Sequence, residues 1–290
     1  MDGSPREAPN ELTCVVTGAN TGIGRAIARG LASRGARVWL ACRSEERARP
    51  VLDELRTEFG ERSAAYLELD LASLTSVRRA ASAFAATGEP LDVLVNNAGV
   101  AGARGLTEDG FEVAFGVNHL GHFFFTQQLL PRLRERARAR VITVSSGAHY
   151  AAREIDFERV RRPTVSLTGL SEYETSKLCN VLFTAELSRR TEGTGVRTYA
   201  VDPGRVASDV WRHVPRPIRA VMKWTMTSTE DGSRSSLHCA MEPALARHSG
   251  RYYAPDGTER IPSEQARDAP LAERLWAQSE AWCEGSAGVE

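Results

Sequence analysis

The sequence predicts an α/β fold, with a single doubly wound parallel sheet and helices on both faces. Short apolar runs alternate with longer helical stretches between residues 12 and 201. This alternation is typical of strand–helix–strand units, which build parallel sheets. A glycine-rich turn follows the first apolar run, and open sheets of this kind bind ligands beyond the carboxyl ends of their strands. Because such connections are right-handed, we expect a doubly wound sheet.

The individual elements follow from the lengths of these stretches. Runs of five or six apolar residues have the length of buried strands. We expect strands at Leu12–Thr17, Arg37–Ala41, Ala64–Leu69, Leu91–Val95, Arg140–Val144 and Val196–Val201. The longer stretches between them mix charged and apolar residues, as helices do. We expect helices at Ile23–Ser33, Glu45–Phe59, Ser73–Ala86, Glu108–Arg138 and Ser171–Thr191.

The chain is predicted to form one domain. No composition break marks a linker between residues 11 and 285, whereas residues 1–10 are polar, contain two prolines and are expected to be a disordered tail. Two segments, Gly147–Leu170 and Arg205–Thr227, depart from the alternation and follow predicted strand ends. Long connections at this edge of a sheet often bind ligands, so we expect residues 205–227 to form a substrate lid.

Composition and charge exclude several function classes. The 290 residues are 42% hydrophobic and 26% charged, and 37 basic residues balance 37 acidic ones. A net charge of zero argues against nucleic acid or an anionic membrane as the main partner. The five cysteines show no pairing pattern, and no apolar run approaches the length of about 18 residues that a membrane span needs. We therefore expect a cytoplasmic protein with reduced thiols and no membrane span.

The glycine-rich turn has the chemistry of a phosphate-binding loop. It reads Thr17-Gly18-Ala19-Asn20-Thr21-Gly22-Ile23-Gly24 and lies between a predicted strand and a predicted helix. Glycines permit a tight turn and a close approach of the backbone to a pyrophosphate, which the helix N-terminus then faces. The turn lacks the Lys-Ser/Thr ending of a triphosphate-binding loop, so a dinucleotide is favoured over ATP or GTP.

These motifs together resemble the short-chain dehydrogenase/reductase family, across roughly residues 10–260. The family opens with Thr-Gly-x-x-x-Gly-x-Gly and places further motifs at strand ends or in the following helices. The matching residues are Thr17 to Gly24, Asn96-Asn97-Ala98-Gly99, Asn118, Ser145-Ser146, Tyr173-x-x-x-Lys177 and Pro203-Gly204. The resemblance implies a Rossmann-type fold and a nicotinamide-dependent oxidoreductase.

Tyr173 and Lys177 form a plausible acid/base unit, because residues four apart share one face of a helix. An ammonium group lowers the pKa of a nearby phenol from its usual value of about 10. The resemblance implies that Ser146, rather than Ser145, holds the substrate oxygen, and that Asn118 binds a water molecule in a proton relay. Ser146 and Tyr173 are further apart in the sequence than in the minimal members of the family. This spacing predicts an insertion that loops out without separating the two side chains.

The residues after the second strand favour NADP(H) over NAD(H). Enzymes that bind NAD place a carboxylate there, whereas this chain has Arg43, and Arg25 follows the glycine loop. Two guanidinium groups suit a ribose 2′-phosphate. The resemblance implies an adenine contact at Asp70 and a carboxamide contact at Ser208. It implies further cofactor contacts at Gly18, Asn20, Thr21, Gly22, Ile23, Gly24, Leu71, Asn97, Ala98, Gly99, Tyr173, Lys177, Pro203, Gly204 and Val206.

Longer stretches, among them VNHLGHFFFTQQLLP and SKLCNVLFTAELSRR, resemble the retinol dehydrogenase-like branch of the family. That branch implies a bulky, largely apolar alcohol, aldehyde or ketone as substrate. The family commonly forms homodimers or homotetramers, but an insertion before the tyrosine leaves a monomer open. Two other functions remain open: a sugar epimerase or dehydratase of the extended branch, and a non-catalytic protein that senses nicotinamide cofactor.

Three histidines near these motifs, His119, His122 and His149, lack the spacing of metal ligands. We expect them on the surface or beside the site, and we expect no metal.

Overall fold

The computed structural model describes residues 12–206 and 226–285 of the chain. In this part of the chain, eight strands form one sheet in the order β3-β2-β1-β4-β5-β6-β7-β8. The strands are β1 (Thr13–Thr17), β2 (Arg37–Cys42), β3 (Ala64–Glu68), β4 (Val93–Asn96), β5 (Arg140–Val144), β6 (Arg197–Val201), β7 (Arg251–Tyr253) and β8 (Glu259–Arg260). All neighbouring strands pair in parallel except β7 and β8, which are antiparallel. The doubly wound sheet predicted from the sequence is confirmed.

The helices pack on both faces because strand residues alternate between two cores. Cys14 and Val16 point into one core, and Val15 points into the other. The described helices are α1 (Gly22–Ala32), α2 (Glu45–Phe59), α3 (Leu74–Ala86), α4 (Val113–Phe115), α5 (Gly121–Arg134), α6 (Leu170–Arg190), α7 (Thr229–Met241) and α8 (Ala269–Gly285). Helices α1, α2 and α7 contribute to the core of Cys14, while α3, α5, α6 and α8 contribute to the core of Val15.

The predicted helix Glu108–Arg138 differs from the structure. Gly110 has a φ of 78°, which breaks the helix before Glu112. The Glu112 carboxylate then accepts hydrogen bonds from the backbone N–H groups of Ala114 and Phe115, so it caps α4. A π-helical turn, Gly116–Leu120, joins α4 to α5. The apolar periodicity continues through these changes in backbone conformation. The sequence pattern therefore predicts a single long helix where the structure has three shorter segments.

The sheet places its ligand-binding crevice between β1 and β4. From β1 the chain proceeds outward to β2 and β3, then returns to the other side of β1 as β4. The loops after these two strands therefore diverge and leave a crevice at their carboxyl ends.

The ends of the predicted lid lie side by side. Val206 and Thr227 form a parallel bridge, and the backbone N–H of Thr227 donates to the Arg205 carbonyl at 2.8 Å. The two ends of the segment therefore meet beside the crevice. Its remaining residues, 207–225, which include Ser208, lie outside the described residues.

Candidate active site

A cleft of about 560 Å³ lies along the carboxyl ends of the strands. Its size is within the range of small-molecule and cofactor sites. Predicted site residues that line it are Gly18, Asn20, Thr21, Gly22, Ile23, Gly24, Arg43, Asp70, Leu71, Asn97, Ala98, Gly99, Ser146, Tyr173, Lys177, Pro203, Gly204 and Val206. Residues distant in the sequence therefore share one cavity.

The glycine loop is held against the turn that follows β4. The Asn97 side-chain amide donates to the Thr17 carbonyl at 2.8 Å, and a Cβ at Gly24 would lie 2.5 Å from the same amide nitrogen. That Cβ would also lie 2.3 Å from the Gly18 carbonyl oxygen. Gly18 itself has a φ of 67°, a left-handed conformation that favours glycine. Close packing and turn geometry thus explain the glycines at 18 and 24.

Ser146 and Tyr173 meet at one end of the cleft. A hydrogen bond from the Ser146 hydroxyl acts to lower the pKa of Tyr173, but burial outweighs it and raises that pKa to about 12. The Ser146 oxygen also accepts the backbone N–H of Ala148 at 3.1 Å, so its proton remains available to an oxygen acceptor. The Ser145 hydroxyl donates instead to the Lys177 carbonyl and anchors α6. The insertion therefore leaves Ser146 and Tyr173 in contact.

Lys177 reaches the same end of the cleft from one turn further along α6. Its Nζ donates to the Val144 carbonyl at 2.9 Å and lies 5.5 Å from the centre of the Tyr173 ring. Burial lowers the pKa of Lys177 to about 8, and the charge of Asp202 opposes that change. Asp202 also acts to raise the pKa of Tyr173. The pKa of Tyr173 is therefore raised rather than lowered as expected from Lys177, and desolvation is the largest cause.

Asn118 is fully buried behind the cleft rather than in its wall. Its side chain accepts from the backbone N–H of Val100 at 2.8 Å and donates to the Val100 carbonyl at 3.0 Å. It also donates to the Ser176 hydroxyl at 2.9 Å, and that hydroxyl donates to the Tyr173 carbonyl. Asn118 thus ties the loop after β4 to the turn of α6 that carries Tyr173.

Arg43 and Arg47 line the other end of the cleft. Arg43 is 67% exposed and lies 3.7 Å from the Asp70 carboxylate. Arg47 is exposed in the first turn of α2. Its backbone N–H donates to the Ser44 hydroxyl oxygen, so Ser44 caps this helix. Arg47 follows Arg43 by four residues, and a second arginine so soon after the end of β2 is the signal in the sequence that could have identified it.

Arg25 does not join this end of the cleft. Its guanidinium donates to the Glu54 carboxylate at 3.0 and 2.6 Å, and it lines a separate cavity between α1, α2 and α7. The assignment of Arg25 to the ribose phosphate is therefore wrong in this structure. The side chain points away because α1 turns its exposed face toward α2, where Glu54 supplies a partner of opposite charge.

The residues that line the cleft suit a dinucleotide. The glycine loop and the N-terminus of α1 lie between a pair of guanidinium groups at one end and the Ser146, Tyr173 and Lys177 side chains at the other. Free N–H groups at a helix N-terminus suit a pyrophosphate, and guanidinium groups suit a further phosphate. Among the described residues, no group of three or more His, Cys, Asp or Glu side chains is arranged to hold a metal.

The three histidines are all buried, so the surface positions considered for them are wrong. The His149 Nδ1 contacts the Ser146 carbonyl at 2.7 Å, and its Nε2 accepts the Ser263 backbone N–H. His122 lies between Thr17 and Asn118. These two rings therefore support site residues from behind, which their spacing in the sequence did not indicate.

Comparison with known proteins gives the family. The family model described as "short chain dehydrogenase" matches residues 12–155 of this chain. Dehydrogenase/reductase SDR family member 13 of Bos taurus is 45% identical over 273 residues, which cover 92% of this chain and 72% of that protein. The chain belongs to the short-chain dehydrogenase/reductase family. Retinol dehydrogenase 11 of Homo sapiens is 43% identical over 270 residues, covering 90% of this chain and 82% of that protein.

The fold of this short-chain dehydrogenase/reductase also matches solved structures. A crystal structure of a protein from Mycobacterium Paratuberculosis aligns with a TM-score of 0.74 and 35% identity, over 94% of this chain and 93% of that one. Family and branch therefore agree with the resemblance to retinol dehydrogenases seen in the motifs. The chain is accordingly an oxidoreductase that uses a nicotinamide cofactor. No helix among the described residues is long and apolar enough to span a membrane.

Proposed function

We propose that this short-chain dehydrogenase/reductase uses NADP(H) to interconvert a bulky, largely apolar carbonyl compound and its alcohol. The observation that carries the proposal is the arrangement of the cleft. Ser146, Tyr173 and Lys177 converge at one end, and Arg43 and Arg47 lie at the other. Proton transfer and phosphate recognition are thereby separated along one cavity, as a dinucleotide-dependent reaction requires.

A nicotinamide cofactor held by the glycine loop would supply the hydride for reduction of a carbonyl group. The Ser146 hydroxyl donates a hydrogen bond to the carbonyl oxygen and holds it beside the Tyr173 phenol. As negative charge develops on that oxygen, Tyr173 transfers its proton there and becomes a phenolate. The Lys177 ammonium stabilises this phenolate from the adjoining turn of α6. Asn118 holds the loop after β4 against the same helix, so the groups keep their separation.

The protonation states favour reduction at neutral pH. Burial raises the pKa of Tyr173 to about 12, so its phenol carries the proton that the reduction consumes. The pKa of Lys177 is lowered to about 8, which leaves the group mainly charged at pH 7. In the oxidative direction Tyr173 must first lose its proton, and alcohol oxidation is therefore expected to become faster as the pH rises.

The preference for NADP(H) rests on the residues after β2. No carboxylate ends this strand; Arg43 lies there, and Arg47 follows in the capped first turn of α2. Asp70, the nearest carboxylate in the cleft wall, accepts the backbone N–H of Ala72 and lies beside Arg43. A ribose 2′-phosphate would replace Asp70 as the stronger anionic partner of Arg43.

An apolar substrate suits the wall of the cleft next to the catalytic groups. Val113 and Val117 are one helical turn apart and line the cleft together with Val100 and Ala103. The insertion returns to this wall, because a Cβ at Gly169 would lie 3.1 Å from the Ala103 carbonyl oxygen. Two of the relatives are named as dehydrogenases of retinol, which is an apolar alcohol.

The apolar surface continues outward on the insertion. Leu167 is 85% exposed and Val165 is 61% exposed, and the Leu167 carbonyl accepts a hydrogen bond from Arg104 at 3.4 Å. Exposed apolar side chains next to a cleft often mark a ligand-binding surface. The predicted lid at residues 205–227 remains part of the proposal, although its central residues lie outside the described ones.

A substrate panel tests the proposed function. Oxidation of NADPH is followed by absorbance with long-chain aldehydes, cyclic ketones and small charged ketones. The proposal expects kcat/KM to rise with the apolar area of the carbonyl compound, and NADPH to be used in preference to NADH. Turnover restricted to small charged ketones would contradict the substrate class, and tight NADPH binding without any turnover would favour the sensor.

A further inference from the structure

His122 is a buried side chain that joins the two halves of the cleft. Its Nε2 lies 2.8 Å from the Thr17 hydroxyl oxygen at the end of β1, and its Nδ1 lies 3.0 Å from the Asn118 carbonyl oxygen. The side chain is 1% exposed. Both ring nitrogens therefore have protein partners, one on the glycine-loop side of the cleft and one on the catalytic side.

The partners determine the tautomer of the ring. A carbonyl oxygen only accepts, so Nδ1 carries a proton and donates it to Asn118. Burial lowers the pKa of His122 to about 4, and the ring is therefore neutral at pH 7, with Nε2 as an acceptor. The Thr17 hydroxyl must then donate its proton to Nε2, because its next acceptor, the Val95 carbonyl, is further away at 3.4 Å.

The Thr17 oxygen holds the turn after β4 at the same time. It accepts the backbone N–H groups of Asn97 and Ala98, both at 2.9 Å. A hydroxyl has one proton and two lone pairs, so these two bonds and the bond to His122 use its full capacity. Any change at His122 Nε2 therefore alters the hydroxyl that orients Asn97 and Ala98 in the cleft wall.

On the other side, the chain of hydrogen bonds continues to the catalytic helix. Asn118 accepts from His122 through its backbone carbonyl and donates through its side chain to the Ser176 hydroxyl. Ser176 donates to the Tyr173 carbonyl at 2.7 Å. The π-helical turn Gly116–Leu120 carries Asn118, and such turns are frequent at functional sites. One continuous path thus connects Thr17 to Tyr173.

We propose that His122 is a positioning residue, which sets the cofactor side of the cleft in register with Asn118 and the catalytic helix. This inference rests on the proposed function, since the register matters for proton and hydride transfer to one carbonyl group. A displacement of about 1 Å between reacting groups can lower a rate by about 100-fold. A histidine that only fills the core would leave the rate per folded molecule unchanged.

Two conservative variants separate the two bonds of the ring. In His122→Asn, the side-chain amide can still donate to Asn118 but no longer reaches Thr17. In His122→Gln, the amide can reach Thr17 but no donor remains at the position of Nδ1. We expect His122→Gln to lower kcat about tenfold and to leave the Kd for NADPH nearly unchanged. We expect His122→Asn also to lower kcat, because the register is lost at its other bond, and to raise this Kd severalfold.

His119 provides the matched control. It is equally buried, three residues earlier in the same segment, and its Nε2 contacts Ser279 in α8 rather than a cleft residue. His119→Gln should lower Tm without changing kcat per folded molecule or the Kd for NADPH. The Tm and folded fraction of every variant are measured by circular dichroism, so that rates refer to folded protein.

Measurements without substrate keep this inference separate from the proposed function. Nitrogen-15 NMR of the unchanged protein should show His122 as the neutral Nδ1–H tautomer at about pH 6, and fluorescence titration gives the Kd for NADPH. An Nε2–H tautomer, or His122→Gln and His122→Asn effects equal to those of His119→Gln, would overturn the positioning role. Absence of turnover with these binding results intact would overturn only the proposed function.

Discussion

Removing the guanidinium groups of Arg43 and Arg47 should remove the proposed preference for NADP(H). Hydrogen bonds to charged groups contribute about 1.5–3 kcal/mol each. The lower value applies here, because Arg43 is 67% exposed and lies 3.7 Å from the Asp70 carboxylate. About 1.5 kcal/mol is close to a tenfold change in Kd, so each alanine variant should weaken NADPH binding about tenfold. The double variant should weaken it about 100-fold if the two contacts are independent.

The assay is a titration of each variant with NADPH and with NADH, followed by the fluorescence of the bound nicotinamide. NADH lacks the 2′-phosphate, so its Kd should change by less than about threefold. Arg25→Ala is the matched control, because Arg25 is 52% exposed and pairs with Glu54 outside the cleft. Equal losses for NADPH and NADH, or a loss of NADPH binding in Arg25→Ala as large as in Arg43→Ala, would refute this reasoning.

Three further predictions concern catalysis and the glycine loop. The kcat/KM for reduction should fall above pH 8, because the pKa of Lys177 is lowered to about 8 and the site loses a positive charge as this group deprotonates; a flat profile to about pH 10 would count against it. Gly24→Ala should lower the Tm and abolish NADPH binding, since its Cβ would lie 2.3 Å from the Gly18 carbonyl oxygen; a fully folded variant with unchanged Kd contradicts this. Ser146→Ala should lower kcat by about 100-fold. Ser145→Ala removes the hydrogen bond that anchors α6, so it should mainly lower the Tm. A loss of kcat in Ser145→Ala and a loss of Tm alone in Ser146→Ala would exchange the roles of the two serines.

The sequence was sufficient for the central sheet because its strands are continuous apolar runs. Val15 and Val16 point into opposite cores, so both must be apolar, and the run is visible without a structure. The short strands β7 and β8 and the polar helix α7 offered no comparable periodicity. Their positions depend on contacts with β6 and α1 that form only in the folded chain.

The candidate site likewise has features that the sequence predicts and features that only the folded chain shows. The glycine loop and the Tyr173–Lys177 pair have local spacing that indicates their chemistry. The direction of Arg25 depends on Glu54, almost thirty residues later, and the burial of His122 depends on how α5 packs behind β1. The pKa of Tyr173 likewise reflects desolvation, a property of the folded site that residue spacing cannot give.

The most direct test of the account is the kcat of Tyr173→Phe with NADPH and an apolar carbonyl compound that the unchanged protein reduces. The substitution removes the phenol oxygen and keeps the ring that lies beside Lys177. General acid catalysis contributes about 100- to 10,000-fold, so kcat should fall by at least about 100-fold. The Kd for NADPH should stay nearly constant, because the proton is needed at the transition state. A kcat within about threefold of the unchanged protein would contradict the central claim.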